Sequence, residues 1–196
     1  CPSKRITLKK KIRKDENGNI IPDRTPQQRK NNTKFTFARY MFAFIRKRFG
    51  DLPVWKIAAA QRGMTDDNLI QSTNYKYLDE KGKILDMEGF QVSLGPLALP
   101  LNLRATRNGT LVSITWDDPR DEPSAAPTDR MMVGIFYADY RDTFTLEKET
   151  GATRRDGKCE IILRDDDGEV CIHPFFARAD NTAFSEDKAI TLPDTE

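Results

Sequence analysis

The apolar residues of this chain change their spacing near residue 84, from steps of three and four residues to alternation with polar residues. Steps of three and four place side chains on one face of an α-helix, whereas alternation places them on one face of a β-strand. The later half also carries turn residues at intervals typical of short antiparallel strands, about seven in all. The sequence therefore predicts an α+β fold in which helices precede an antiparallel β-sandwich.

The strongest helical segment begins after Thr25 and ends at Gly50. Thr25 is suited to cap the first turn, and Pro26 is tolerated at the first helical position because its missing N–H is not needed there. Apolar residues form one stripe or widen it, namely Phe35, Phe37, Ala38, Met41, Phe42, Phe44, Ile45 and Phe49. We expect a core helix of which much of the surface between residues 35 and 45 is covered, with a membrane-surface or partner-binding helix as the alternative.

The sandwich is predicted from short segments bounded by turns, at residues 91–94, 101–107, 112–116, 131–138, 143–149, 158–163, 169–178 and 183–192. Asn108-Gly109 is a strong hairpin signal, and Trp116 is expected to point into the core. Pro174 cannot donate to a strand ladder, so a bulge or an edge strand is expected there. Three prolines between residues 117 and 130 predict a long exposed loop.

Residues 4–22 predict a basic β-hairpin with a turn at residues 15–18. A two-stranded hairpin is marginally stable by itself in water, so it is expected to pack on its own body or to extend the sheet of another subunit. The cations that we single out as partner-binding residues are Lys4, Arg5, Lys9, Lys10, Lys11, Arg13 and Lys14.

Charge is strongly segregated along the chain. Residues 1–49 hold 15 of the 32 Lys and Arg but only 3 of the 30 Asp and Glu, which gives +12 there and −10 over the rest. A basic arm joined to an acidic body suits binding to nucleic acid, to an acidic protein surface or to a second copy, the alternative being a solvated basic face. Nucleic-acid binding by the arm would be salt-dependent and sequence-independent. Residues 4–14 lack the aromatic side chains that stack on single strands.

Composition and spacing divide the chain into three regions. Residues 1–24 form the basic hairpin or arm, residues 25–82 the helical region, and residues 83–196 the sandwich. No apolar run reaches the roughly 18 residues that a membrane-spanning helix needs.

No pattern in the sequence predicts catalytic, cofactor-binding or metal-binding residues. The single histidine, His173, shares a predicted strand face with Cys171 and Phe175, and a histidine there without a positioned partner is expected to be structural. The acidic run 165–169 lacks the spacing of an EF-hand loop and predicts a polar turn. Arg154-Arg155 is expected to be a solvated turn, with anion binding as the alternative.

The three cysteines, Cys1, Cys159 and Cys171, are an odd number without CxxC spacing, which favours reduced thiols over a disulfide framework. Cys1 at the start of the chain is compatible with a lipidated, a processed or an artificial beginning.

Residues 99–119 resemble the first two strands of a fibronectin type III domain, in the run Leu99–Leu103, the Asn108-Gly109-Thr110 turn and the run Ile114–Pro119. The resemblance covers residues 99–192 and implies that Trp116 anchors the sandwich core, as the corresponding tryptophan does in that family. The chain departs from the family at Pro174 and lacks its tyrosine on the sixth strand.

The chain from residue 25 also resembles an uncharacterised protein family encoded in Bacteroidota genomes and their mobile elements. The matching elements are 25–29 with 34–35, 113–116 followed by Asp129, 151–154, 171–176 and 183–185. Members usually carry a glycine-rich stretch before the hairpin, which this chain lacks. The resemblance implies lineage and fold, and it implies no activity.

Three functional hypotheses follow. The first is a non-enzymatic structural or assembly subunit of a phage-type virion or other multi-subunit particle, which contacts itself or other subunits. The second is an adhesion or carbohydrate-binding module of the bacterial cell surface, using the sandwich loops. The third is a DNA-associated protein that uses the basic arm.

Overall fold

The computed structural model describes residues 14–18, 25–118, 123–164 and 168–194. Three helices come first: α1 (Pro26–Phe49), α2 (Val54–Ala60) and α3 (Asp66–Asn74). Thr25 caps α1 as predicted, because its hydroxyl accepts from the N–H of Gln28 at 3.2 Å while the Gln28 side chain accepts from the Thr25 N–H at 2.9 Å.

Seven strands follow the helices, namely β1 (Leu101–Asn108), β2 (Leu111–Asp117), β3 (Arg130–Tyr137), β4 (Phe144–Glu147), β5 (Lys158–Ile162), β6 (Val170–Ala177) and β7 (Ile190–Leu192). They form two antiparallel sheets with the orders β1-β2-β5 and β4-β3-β6-β7. The predicted order of helices and then an antiparallel β-sandwich is confirmed. The β1–β2 hairpin turns at Gly109, as the Asn108-Gly109 signal predicts.

The core between the two sheets is built around Trp116, which is 4% exposed. Its ring packs edge-on against Phe176 at a centroid distance of 5.5 Å, and its indole N–H donates to the carbonyl of Arg154 at 2.7 Å. The predicted anchoring role of this tryptophan is confirmed. The bonded N–H matters because an indole buried without a partner would carry a desolvation cost.

A second core lies on the other face of the four-stranded sheet, where the helices pack. Phe49 of α1 stacks on Phe144 of β4 at 6.0 Å, and Phe175 of β6 lies 6.5 Å from the same Phe49 ring. The molecule therefore has three layers, helices over a four-stranded sheet over a three-stranded sheet. Every residue of β6 is buried, which explains why that strand is apolar except for His173 instead of alternating with polar residues.

Residues 92–94 are buried, but the segment 91–94 does not form the predicted strand. Their backbone groups form hydrogen bonds with side chains and not with a neighbouring strand. The N–H of Gln91 donates to Asn74 Oδ1 at 2.8 Å, and Asn74 Nδ2 donates back to the Gln91 carbonyl at 2.9 Å. The next two N–H groups donate to Asp187. This largely buried segment thus forms its backbone hydrogen bonds without a strand ladder.

Pro174 causes neither the bulge nor the edge strand that was predicted. The register between β3 and β6 is continuous through Val133 and Pro174. On the other side of β6, β7 pairs only with residues 170–172, and the N–H of Lys188 donates to the Pro174 carbonyl at 3.2 Å. Since the N–H and carbonyl of one strand residue point to the same side, the missing N–H faces a position where the ladder has already ended.

The predicted last strand, 183–192, is shorter than expected. Only Ile190–Leu192 is a strand, while Phe184 and Ser185 make isolated bridges to Ala177 and Leu97. Of the predicted N-terminal hairpin, residues 4–13 and 19–22 lie outside the described residues. Its turn is present, with the N–H of Gly18 donating to the Asp15 carbonyl at 3.0 Å. The boundaries at 24/25 and 82/83 stay predictions.

Candidate protein interaction surface

Of the seven cations predicted to bind a partner, the structure describes one. Lys14 is exposed beside the turn at residues 15–18. The other six, Lys4, Arg5, Lys9, Lys10, Lys11 and Arg13, lie outside the described residues.

Helix α1 continues the basic region into the described part of the chain. Its sequence holds seven Lys and Arg and no Asp or Glu. None of residues 26–37 is buried, and the first buried side chain is that of Ala38. The helix therefore packs on the body through its later part and exposes its first three turns to solvent.

The expectation that much of the α1 surface from 35 to 45 is covered is wrong in its first part. Phe35 and Phe37 are 43% and 42% exposed, and Tyr40 is 69% exposed. The buried stripe consists of Ala38, Met41, Phe42, Ile45 and Phe49. Helical spacing identifies the face that can be buried, but it does not tell where along the helix the covering layer begins.

A groove of about 700 Å³ runs between α1 and α3. Phe35, Arg39 and Tyr40 line it from α1, and Asp67 and Gln71 line it from α3. Thr65 caps α3 by accepting from the N–H of Asn68 at 3.3 Å, which fixes the far wall.

Ion pairs hold several cations of α1 in place. Arg46 Nη1 lies 2.5 Å from Asp67 Oδ1, and Lys30 pairs with Glu80. The ammonium of Lys34 lies over the ring of Tyr75, 4.6 Å from its centre. Arg39, by contrast, makes no ion pair within the described part of the chain.

A second polar site is buried beneath the helices. His173 Nδ1 lies 2.6 Å from Asp187 Oδ2, and His173 Nε2 lies 3.4 Å from Cys171 Sγ. The side chains of His173 and Asp187 are 0% and 4% exposed. Burial lowers the pKa of His173, but the hydrogen bonds to Asp187 and Cys171 outweigh it and raise the pKa to about 9.

The second carboxylate oxygen of Asp187 connects this cluster to the backbone of the crossing segment 91–94. Asp187 Oδ1 accepts from the N–H groups of Val92 at 2.9 Å and Ser93 at 2.8 Å, so the carboxylate joins β6 to the crossing segment 91–94. His173 thus has a positioned partner, contrary to the expectation from sequence, because Asp187 lies 14 residues away and shares no periodic pattern with it. Acid–base chemistry on a substrate would require these packed segments to separate.

A third cluster overturns two predictions about surface loops. Asp129, predicted in an exposed loop, is 0% exposed, and Arg154, predicted in a solvated turn, is 1% exposed. Asp129 Oδ2 lies 3.6 Å from Arg154 Nε, and Asp129 Oδ1 lies 3.2 Å from Arg178 Nε. Arg154 also donates to the Ala98 carbonyl at 2.6 Å and lies over the Phe176 ring. Buried charged groups need partners of opposite charge, and here the segment with Asp129 provides one for the segments with Arg154 and Arg178.

Among the described residues, no group of three His, Cys, Asp or Glu side chains is placed to hold a metal ion. No helix in the described ranges is both long and apolar enough to cross a membrane. Cys159 and Cys171 are buried free thiols.

Comparisons with known proteins add little. No protein-family model matches the chain, and no curated protein matches it. Among solved structures, the fibronectin domains FN1–FN3 of chicken CNTN1 match with a TM-score of 0.38 and 7% identity, over 53% of this chain. The match spans about a third, 34%, of that structure. The resemblance to a Bacteroidota family stays a prediction, and the sandwich assignment rests on the observed strand order.

Proposed function

We propose that this protein is a non-enzymatic assembly subunit that binds other protein subunits through its basic N-terminal region. One observation carries the proposal: the charge of the chain is divided, with +12 over residues 1–49 and −10 over residues 50–196. Helix α1 brings the cationic part to the surface, because its first three turns are exposed and contain no acidic residue. Opposite charge on two surfaces steers association and fixes orientation.

The same division makes a second copy of the chain a suitable partner. A basic segment of one copy can meet the acidic body of the next, which is a head-to-tail contact. Contacts of this kind generate rings or open filaments, depending on whether the rotation closes. We therefore place the protein in a phage-type virion or a related multi-subunit particle, in keeping with the mobile-element lineage suggested by the sequence.

Sedimentation of the full chain at low and high salt tests the proposal. We expect concentration-dependent oligomers, or complexes with subunits of the native particle, that dissociate as salt screens the charges. Reversing Lys9, Lys10 and Lys11 to Glu should abolish them. The matched control reverses three lysines elsewhere, Lys56, Lys81 and Lys158, which are exposed on the body.

Association that survives the arm reversal, or that the control variant weakens equally, would contradict a role for the basic arm. A monodisperse monomer at high protein concentration and low salt, with no partner recovered from native particles, would overturn the proposed function as a whole.

A further inference from the structure

We infer that the groove between α1 and α3 binds an acidic peptide segment of another protein, one that offers carboxylates and a large apolar side chain. The inference rests on the proposed function, since it names the chemistry of one partner. It concerns a different surface from the arm at residues 4–14, so the two can be tested separately.

The groove has the dimensions and the lining of a peptide site. Its volume of about 700 Å³ lies in the range of pockets that enclose several side chains. One wall is a stripe of α1 at positions 35, 36, 39, 40, 43 and 46, which follow the spacing of one helix face. The other wall is α3, whose Asn68 and Gln71 side chains can bond to a peptide backbone.

Two aromatic side chains provide the apolar contact. Tyr40 is 69% exposed and Phe35 is 43% exposed, and both line the groove. Tyrosine is among the residues that dominate binding energy at protein interfaces, because a large ring loses little conformational freedom when it is covered. An occupant with apolar side chains lying along the groove would remove both rings from water.

The charge of the groove selects an acidic occupant. Arg39 makes no ion pair within the described residues, whereas Arg46 is already held by Asp66 and Asp67. A carboxylate on the ligand would give Arg39 the bidentate partner that guanidinium groups favour. Pairing with α1 of a second copy is disfavoured, because it would bring seven cations against seven.

The same walls disfavour nucleic acid and lipid. Arg39 is the one lining cation without an ion pair within the described residues, too few for the several phosphates that a nucleic acid presents. A lipid surface needs exposed apolar side chains on one helix face. Phe35 and Phe37 are two positions apart, about 200° around the helix, and therefore point in different directions.

Selection from a displayed library of random short peptides on the full chain tests the inference. We expect the enriched peptides to carry net negative charge and a large apolar residue. Binding to Phe35→Ala, Tyr40→Ala and Arg39→Glu should weaken by at least about tenfold. Phe37→Ala is the matched aromatic control, since it is equally exposed on the same helix but does not line the groove. Lys47→Glu is the matched charge control.

The inference is overturned if the enriched peptides are not acidic, or if the control variants weaken binding as much as the groove variants do. Preferred binding of duplex DNA that is insensitive to Phe35→Ala and Tyr40→Ala would also overturn it. Because residues 4–14 are unchanged in every variant, loss of peptide binding with retained oligomers would leave the proposed assembly function intact.

Discussion

The imidazole of His173 and the carboxylate of Asp187 form a buried pair, 2.6 Å apart, that joins the crossing segment 91–94 to β6, an inner strand of the four-stranded sheet. One oxygen of the Asp187 carboxylate contacts the imidazole, and the other accepts hydrogen bonds from two backbone N–H groups. An unpaired Asp187 in this position would be a buried charge, so the protonation of His173 bears directly on stability.

The first prediction is that stability falls as pH rises from 6.5 toward 9. The pKa of His173 is raised from 6.5 to about 9, so the folded state binds a proton more tightly than the unfolded state does. The resulting stabilisation is complete below pH 6.5 and lost as pH passes the folded pKa, with a size on the order of 3 kcal/mol. Urea denaturation across this window measures it.

His173→Gln should flatten that pH dependence. Because the chain has one histidine, its imidazole resonance in a proton NMR titration belongs to His173 without further assignment. A midpoint at or below 6.5 would show that burial prevails over the Asp187 contact.

The second prediction concerns the carboxylate between two arginines. Asp129→Ala removes the carboxylate that pairs with Arg154, whose side chain is 1% exposed, and should lower the free energy of unfolding by about 3–5 kcal/mol. Asp142→Ala is the control, because Asp142 lies 3.9 Å from Lys83 with both side chains more than half exposed. That change should cost less than about 1 kcal/mol. Equal losses in chemical denaturation would contradict a special role for the buried cluster.

The third prediction compares two glycines. A Cβ at Gly95 would overlap the backbone carbonyl of Phe184, which cannot move like a flexible side chain. Gly109 has a φ of +58° with open space around it, so an alanine there meets only backbone strain. We expect Gly109→Ala to cost about 1 kcal/mol and Gly95→Ala clearly more, as measured by thermal unfolding. The reverse order would indicate that the Phe184 segment can shift.

The fourth prediction is that Cys159 and Cys171 resist alkylation until the protein unfolds. Both thiols are buried, and burial raises the pKa of Cys159, so the reactive thiolate is scarce. Mass spectrometry of peptides after brief iodoacetamide treatment, with and without denaturant, provides the measurement. Alkylation of either residue in the native protein at the rate of an unfolded peptide would show that these strands open readily.

Sequence patterns were sufficient where neighbours in the chain decide the structure. The Thr25 cap, the turn at Gly109 and the inward Trp116 follow from local chemistry and alternation. The two faces of β6 were also predictable, because Cys171 and Phe175 face the helices while Ile172 faces the other sheet.

Contacts between side chains that are far apart in the chain have no pattern in the sequence from which they could be predicted. Asp187 meets His173 across 14 residues, and Asp129 meets Arg154 across 25, so neither pair has a periodic signature. Val92 and Leu94 alternate with polar residues as in a strand, but Asn74 supplies the hydrogen bonds that a strand partner would give to Gln91. The groove between α1 and α3 has no sequence signature either, because the exposure of Phe35 depends on where the layer packed against α1 begins.

The helical layer has a consequence for how the sandwich can be used. In a sandwich that stands alone, both outer faces meet solvent, and either can evolve into a recognition surface. Here the helices occupy one of them, so among the described residues only β1, β2 and β5 present a broad sheet face to other molecules. Leu111 and Ile162 are adjacent there and exposed. Any recognition by strand side chains is therefore restricted to the face of β1, β2 and β5 that lies opposite the helices. A ligand on that face would leave the groove between α1 and α3 free for a second one.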